Sequence, residues 1–164
     1  NELVAAFSIL QKENTNVKLL LVGPFEEELN PLQPETMKEI QTNSNIISVG
    51  YQNDVRPYFA ISNALVFPSY REGFPNVVMQ AGAMNLPSIV SNINGCNEII
   101  IEGENGTIIP VKDQKALLNA MKNYALNDTV IQIYTQNARP LIVSRYEQNV
   151  VWDAILKEYR TFEV

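Results

Sequence analysis

The chain has 164 residues, of which 46% are apolar, and its formal net charge at pH 7 is −6. This length suits a single domain with a substantial core, which we predict over residues 1–164. The acidic balance argues against broad electrostatic binding of nucleic acid or of an anionic membrane. There is no histidine and only one cysteine, Cys96, which excludes serine–histidine triads, histidine-rich metal sites and an internal disulfide. A reducing compartment, the cytoplasm, is therefore expected.

Short apolar runs alternate with helical patterns through most of the chain. In chain order the predicted elements are helix Glu2–Gln11, strand Val17–Gly23, a loop over residues 24–34, helix Glu35–Gln41, strand Ile46–Gly50, helix Asp54–Ser62, strand Ala64–Pro68, helix Pro75–Met84, strand Pro87–Ser91, helix Asn97–Ile101 and strand Thr107–Pro110. Three helices then follow, at Gln114–Leu126, Val130–Val143 and Glu147–Phe162. Apolar residues recur on one face of the last helix, at Val151, Ile155, Tyr159 and Phe162.

Alternating strands and helices predict an α/β fold with parallel strands, in which right-handed crossovers form an open, doubly wound, Rossmann-like sheet. A helical tail completes the predicted architecture. The run Val17–Gly23 is expected to be buried on both faces of the sheet. Such sheets bind ligands beyond the carboxyl ends of their strands. The loops expected at that edge are Gly23–Pro24, Gly50–Gln52, Ser69–Phe74 and Ser91–Gly95.

The segment from Ser69 to Ala81 leaves an apolar strand, crosses a charged turn and enters a helix. Gly73 is expected to adopt unusual backbone dihedral angles and to let a ligand approach closely. Glu72 can accept hydrogen bonds from two hydroxyl groups, and Pro75 fixes the entry to the helix while donating none. The free N–H groups that would favour an anion at the helix start belong to Gly73, Phe74, Asn76 and Val77. This arrangement predicts a site for a ligand that carries both phosphate and hydroxyl groups, such as a nucleotide sugar.

Each of these candidates also has a plain structural interpretation. Glu72 is also consistent with a solvated loop carboxylate, and Gln80 with an ordinary helix residue. Gln80 reaches a ligand hydroxyl pair only if its side chain points back over the helix start. The turn Gly50–Tyr51 can simply join a strand to a helix, with Tyr51 as a packing residue rather than a platform for a base. Glu98 is expected to cap or pair locally.

Other known templates fail. The chain has no G-x-G-x-x-G after a strand and no G-x-x-x-x-G-K-[ST], so the dinucleotide and P-loop interpretations are weak. No cluster of cysteine and histidine has metal-ligand spacing, and no metal ligand is assigned. Cys96 is expected to be inert, because nothing near it in the sequence lowers its pKa.

From Val17 to about Tyr159 the chain resembles the C-terminal domain of retaining glycosyltransferases of the two-domain GT-B fold, in family 4, the glycosyl transferases group 1. The matching residues include Val22–Gly23, Ile47–Tyr51, Ala64–Ser69, Glu72–Asn76, Ala81–Ala83, Leu86–Ser91, Gly95, Glu98–Ile100 and Gly103–Gly106. The resemblance implies that Glu72 contacts the donor sugar and steadies positive charge at the anomeric carbon. It implies that the segment Gly73–Val77 lies against the sugar and diphosphate, and that Gly50, Tyr51 and Gln52 contact the base.

This sequence departs from the family pattern in one visible place. The family has a second Glu, which holds the ribose hydroxyls, where this chain has Gln80. Glutamine still donates and accepts, but hydrogen bonds to a charged acceptor are roughly twice as strong. We therefore expect Gln80 to affect how tightly the donor binds and which nucleotide is preferred.

The resemblance also implies that the chain is a fragment of a larger, two-domain enzyme. The arginine and lysine that neutralise the diphosphate in this family precede the first helix, and an N-terminal domain binds the acceptor. The fragment alone is expected to be inactive. The full-length protein is expected to transfer a hexosyl group with retention to a glycan or lipid-linked acceptor in polysaccharide biosynthesis, without an obligatory metal or cofactor. The missing domain is the expected carrier of any peripheral contact with the inner face of the membrane.

Two other functions stay open at this point. The first is a catalytically silent domain that binds nucleotide sugars or a protein partner, which Gln80 favours. The second is a sugar-nucleotide epimerase built on a similar half-domain, against which the Glu72–Asn76 segment argues.

Overall fold

The structure, a computed structural model, describes residues 1–25 and 31–162. Part of the predicted loop over 24–34, residues 26–30, therefore lies outside the described residues. The strands are β1 Leu19–Leu21, β2 Ile46–Ser48, β3 Leu65–Phe67, β4 Ser88–Ser91 and β5 Gly106–Ile109. The helices are α1 Glu2–Glu13, α2 Pro34–Thr42, α3 Arg56–Ala60, α4 Asn76–Ala83, α5 Cys96–Ile99, α6 Gln114–Leu126, α7 Asp128–Tyr146 and α8 Gln148–Arg160.

All strand pairs in the described residues are parallel, which confirms the predicted α/β class. Residue Leu20 of β1 pairs with Ile47 of β2, and β4 pairs with β3 on one side and with β5 on the other. The strands form two sheets, β1–β2 and β3–β4–β5, instead of the one continuous sheet predicted. No backbone ladder joins β1 to β3 within the described residues, so side-chain packing holds the two sheets together.

The helices cover the sheet with β3, β4 and β5 on both faces, as a doubly wound fold requires. Ile89 and Val90 are successive residues of β4, so they point to opposite faces. Ile89 belongs to a core cluster built with α1, α2 and α6, which also includes Leu19 and Ile46 from the other sheet. Val90 belongs to a second cluster, built with α4, α5 and α7. The first cluster is therefore the common core of the two sheets.

The prediction that Val17–Gly23 is buried on both faces is wrong. Val22 is 38% exposed, and Ile47 on the neighbouring strand is 41% exposed. The reason is that α1 and α2 cover only one face of β1 and β2. The buried clusters on the other face contain no side chain of these two strands among the described residues. Among the strands of the described residues, only β4 is buried along its whole length.

Helix boundaries differ from the predictions by a few residues. The third helix begins at Arg56, with Val55 as its N-cap residue, and Asp54 accepts the Arg56 N–H at 3.0 Å from just outside the helix. The fifth helix begins at Cys96, where Gly95 is the N-cap and Glu98 accepts the Gly95 N–H at 3.2 Å. The expectation that Glu98 caps locally is therefore confirmed.

The helical tail runs across the outside of the domain. Ile142 of α7 packs so closely on Gly82 of α4 that a β-carbon at Gly82 would overlap it. The C-terminal end of α7 lies beside the loop that follows β3, where Tyr146 contacts Phe74. No side chain of α8 is buried. Within residues 1–25 and 31–162, no helix is long and apolar enough to cross a bilayer.

Candidate functional site

The loops that follow β1, β2, β3 and β4 lie at one edge of the sheets, because parallel strands share their carboxyl ends. The first two loops are joined directly, since the Gly23 N–H donates to the Gly50 carbonyl at 2.9 Å. Gly50 has a φ of 65°, in the left-handed region that glycine adopts without strain. The turn Gly50–Gln52 is thereby fixed at this edge.

The 69–74 loop, Ser69–Phe74, holds Glu72 in a defined position. The Ser69 hydroxyl donates to Glu72 Oε1 at 2.6 Å, and the Glu72 side chain is half-buried. Glu72 is therefore an anchored carboxylate and not a freely solvated one. Its charge also acts on Cys96, whose pKa is raised to about 11, first by burial and then by Glu72. The Cys96 thiol stays protonated at neutral pH, in agreement with its expected inertness.

The start of α4 presents unpaired backbone donors next to this carboxylate. The helix begins at Asn76 with Pro75 as its N-cap residue, one position later than predicted. The Pro75 carbonyl accepts the Val78 N–H at 3.1 Å, so the first helical turn is formed normally. Four N–H groups have no acceptor within the described part of the chain. They belong to Gly73, Phe74, Asn76 and Val77.

Gly73 does not have the unusual dihedral angles that we predicted, because its φ lies outside the left-handed region. A β-carbon there would point into open space, so no neighbour among the described residues requires glycine at this position. The glycine with a positive φ beside this loop is Gly95, at 77°. A β-carbon on Gly95 would overlap the Gly73 carbonyl and the Pro75 ring, so the Gly95 backbone packs directly against this segment.

A second part of the site lies between α4 and the β2–α3 connection. An open cleft of about 420 Å³ has Gln80, Ala83 and Met84 on one side and Asn53–Arg56 on the other. Asp54 and Arg56 form an ion pair at 2.8 Å, and this pairing lowers the pKa of Asp54 to about 2. Gln80 thus faces the β2–α3 connection and lines a cleft with it.

The predicted base-contacting turn Gly50–Gln52 immediately precedes Asn53, which lines this cleft. Tyr51 is 71% exposed, so the interpretation of Tyr51 as a packing residue is wrong. Its ring is available to a flat ligand. The Gln52 amide donates from Nε2 to the Val49 carbonyl at 2.8 Å, so this side chain braces its own turn.

Tyr70 is not among the predicted site residues, yet its side chain joins three segments around the 69–74 loop. Its hydroxyl donates to Glu2 Oε1 at 2.6 Å, across 68 positions of sequence. Lys112, which follows β5, places Nζ 5.1 Å from the centre of the Tyr70 ring. The bond to Glu2 and partial burial raise the pKa of Tyr70 to about 12. Such contacts depend on tertiary folding and leave no local sequence signal.

The assembled geometry can bind a ligand that carries an anion and hydroxyl groups together. The unpaired N–H groups and the dipole of α4 suit the anion, and the Glu72 carboxylate is an acceptor for hydroxyl donors. Within residues 1–25 and 31–162, no three acidic or cysteine side chains are grouped closely enough to hold a metal ion.

Two curated relatives align with most of this chain. The capsular polysaccharide biosynthesis glycosyltransferase CapM of Staphylococcus aureus is 28% identical over 162 residues, which are 99% of this chain and 42% of the relative. The UDP-Gal:alpha-D-GlcNAc-diphosphoundecaprenol alpha-1,3-galactosyltransferase of Escherichia coli is 30% identical over 127 residues, which are 77% of this chain and 32% of the relative. The chain thus spans less than half the length of either protein.

The fold is shared with solved protein structures. The crystal structure of HepE from Anabaena, in complex with UDP and glucose, covers 98% of this chain with a TM-score of 0.83 and 18% identity. The alignment takes in 44% of that structure's chain. The family model of glycosyl transferases group 1 matches residues 1–127, which confirms the resemblance inferred from the sequence. The chain therefore belongs to the glycosyl transferases group 1 family.

Proposed function

We propose that this chain binds the nucleotide-diphosphate sugar donor of a glycosyltransferase. The observation that carries this proposal is the half-buried Glu72 carboxylate, held at 2.6 Å by Ser69 beside the unpaired N–H groups at the start of α4. One end of this arrangement suits a diphosphate and the other suits sugar hydroxyls.

Each part of the site has a proposed role in the donor complex. The N–H groups of Gly73–Val77 bind the diphosphate and stabilise the negative charge that develops on it as the leaving group. Glu72 accepts hydrogen bonds from the sugar and stabilises positive charge that develops at the anomeric carbon. Gln80 binds the ribose hydroxyls within the cleft, and Tyr51 stacks on the base.

The names of the relatives support a nucleotide-sugar donor and a glycan or lipid-linked acceptor. One is a capsular polysaccharide glycosyltransferase, and the other uses UDP-Gal with a diphosphoundecaprenol-linked acceptor. HepE was crystallised with UDP and glucose. We propose that the full-length protein transfers a hexosyl group, with retention, to a glycan or lipid-linked acceptor in surface polysaccharide synthesis.

Residues 1–164 are, in this proposal, one Rossmann-like donor-binding domain of a two-domain enzyme. The acceptor would bind to an N-terminal domain of the same protein, and the reaction would run in the cleft between them without an obligatory metal. The enzyme would work in the cytoplasm, with any contact to the inner membrane face made by the acceptor-binding domain.

The binding step is tested by calorimetry on the full-length protein. UDP, GDP and their hexose conjugates are titrated separately into the same folded sample. We expect saturable binding of at least one series. If none binds to a sample whose circular dichroism shows an intact fold, the proposal is wrong.

The catalytic step is tested with Glu72→Gln, which keeps the size of the side chain but removes its charge. We expect transfer to fall by about 10²-fold or more, as for the loss of one transition-state contact. Glu104→Gln is the matched control, since Glu104 is exposed and precedes the amino end of β5, opposite the site. Equal activity of the two variants would contradict the proposed role of Glu72.

A catalytically silent nucleotide-sugar-binding domain is the second candidate, and Gln80 is the observation that favours it. A silent domain would bind donor but show no turnover with any acceptor, including hydrolysis of the donor. Measurable donor hydrolysis that Glu72→Gln abolishes would rule out this candidate.

A further inference from the structure

The end of α7 contacts the 69–74 loop directly, although the two are far apart in sequence. The ring of Tyr146, the last residue of α7, meets the ring of Phe74 edge-to-face, with centroids 5.4 Å apart and planes at 66°. This is a favoured geometry for an aromatic pair. Phe74 is otherwise 42% exposed, so the contact is a main restraint on its side chain.

Tyr146 is itself held firmly in place. Its hydroxyl donates to the Glu98 carbonyl at 2.9 Å, and Arg145 donates from Nη2 to the same carbonyl at 2.6 Å. The Arg145 guanidinium also lies 4.9 Å from the centre of the Tyr146 ring. These contacts fix the tyrosine on α5, with its ring against Phe74.

The contact to α5 gives Tyr146 a second route to the loop. Glu98 accepts the Gly95 N–H through its carboxylate at 3.2 Å. Gly95 in turn lies against the Gly73 carbonyl and the Pro75 ring. Tyr146 therefore restrains the loop in two ways, directly through Phe74 and indirectly through α5 and Gly95.

We propose that Tyr146 is a positioning residue for the backbone donors of Gly73–Val77, acting through Phe74 and Gly95 without touching the ligand. This inference rests on the proposed function, in which those donors bind the diphosphate. The match to the family model ends at residue 127, before Tyr146.

The position of Tyr146 makes the proposal specific for one part of the ligand. The 69–74 loop and the start of α4 form the anion end of the site. The cleft that Gln80 and Asp54 line is formed by α4 and the β2–α3 connection. Within the described part of the chain, the hydrogen bond and ring contacts of Tyr146 go instead to Glu98, Phe74 and Arg145. Loss of the Tyr146 ring should therefore weaken binding of a diphosphate much more than binding of a nucleoside monophosphate.

The test uses three variants of the full-length protein. Tyr146→Leu removes the ring, and Tyr146→Phe keeps the ring but removes the hydroxyl. Tyr134→Leu is the matched control, because Tyr134 lies on the same helix and forms a similar pair with Tyr124, 5.7 Å apart at 62°. Affinities for UDP and UMP, and for GDP and GMP, are measured by calorimetry beside each melting temperature.

We expect Tyr146→Leu to weaken diphosphate binding about fivefold to tenfold, the value of one aromatic pair, and monophosphate binding less than about twofold. Tyr146→Phe should stay within about threefold of the wild type for both ligands, because the ring contact survives. Tyr134→Leu should lower the melting temperature but change the affinities for diphosphate and monophosphate by the same factor. If Tyr146→Leu behaves like Tyr134→Leu, the positioning role is wrong.

A readout without ligand keeps this inference separate from the proposed function. Amide hydrogen exchange of residues 73–77 in the free protein should be faster in Tyr146→Leu than in Tyr134→Leu at equal melting temperature. Unchanged exchange would overturn the positioning role even if nucleotides bind. Faster exchange in a protein that binds no nucleotide would uphold the contact and overturn the proposed function instead.

Discussion

The Gly95 backbone lies so close to the Gly73 carbonyl that no side chain fits between α5 and the 69–74 loop. Gly95 also has a φ of 77°, which other residues adopt only with strain. We predict that Gly95→Ala lowers the free energy of unfolding by about 2 to 4 kcal/mol, from strain and overlap together. Urea denaturation of the full-length protein measures this change.

Gly103 is a matched control for that experiment. Its φ is 79°, almost the same, but a β-carbon there would meet open space. Gly103→Ala should cost only the backbone strain, about 1 to 2 kcal/mol, and should leave donor binding unchanged. Equal losses in the two variants would show that the overlap with Gly73 does not exist.

The hydrogen bond from Ser69 to Glu72 predicts a catalytic effect without a large stability effect. Ser69→Ala leaves the Glu72 carboxylate without its donor, so we expect transfer to fall roughly tenfold, as for loss of one hydrogen bond to a charged group. Ser62→Ala is the comparison, because Ser62 donates to the Tyr58 carbonyl on α3, at 2.7 Å. Initial rates at saturating donor should separate the two variants. Full activity in Ser69→Ala would mean that Glu72 does not depend on this bond.

The Tyr70–Glu2 hydrogen bond predicts a pH-dependent contribution to stability. The Tyr70 hydroxyl lowers the pKa of Glu2 below its ordinary value of 4.5. A group with a lowered pKa stabilises the folded state above its unfolded pKa, and this stabilisation is lost as the pH falls through the folded value. Tyr70→Phe should therefore be less stable than the wild type at pH 7, by under about 1 kcal/mol since both groups are partly exposed. The difference should shrink below pH 4.5. A difference that does not change with pH would contradict this assignment.

Gln80 offers a test of the cleft beside α4. If the cleft binds the ribose hydroxyls, then Gln80→Glu introduces a charged acceptor and should tighten nucleotide binding about fivefold. Asp54 lies in the same cleft, but Arg56 already neutralises it at 2.8 Å. Titration of UDP and GDP into wild type and variant measures the effect. Weaker binding in Gln80→Glu would place the ribose elsewhere.

Local sequence patterns were sufficient for the elements and for the edge at which the site lies. Strand β4 falls within the predicted run Pro87–Ser91, and α4 begins within one residue of the predicted position. These signals succeed because apolar periodicity and a proline at a helix entry act over a few residues. The placement of Glu72 beside the unpaired N–H groups of α4 also follows from residues that are neighbours in the sequence.

Features that depend on tertiary partners could not be predicted in this way. The separation of β1 from β3, the exposure of Tyr51 and the contact between Tyr146 and Phe74 all depend on residues distant in sequence. The prediction of unusual backbone dihedral angles at Gly73 is wrong for the same reason. The sequence indicates a flexible turn at Gly73, but the positive φ belongs to Gly95, whose need for glycine comes from a neighbour 22 positions away.

A crystal structure of the full-length protein with a bound nucleotide-diphosphate sugar tests the central claim most directly. We predict that diphosphate oxygens lie about 3 Å from the N–H groups of Gly73–Val77, with a sugar hydroxyl at a similar distance from the Glu72 carboxylate. A ligand bound away from the start of α4, with Glu72 contacting only Ser69 and solvent, would contradict the account.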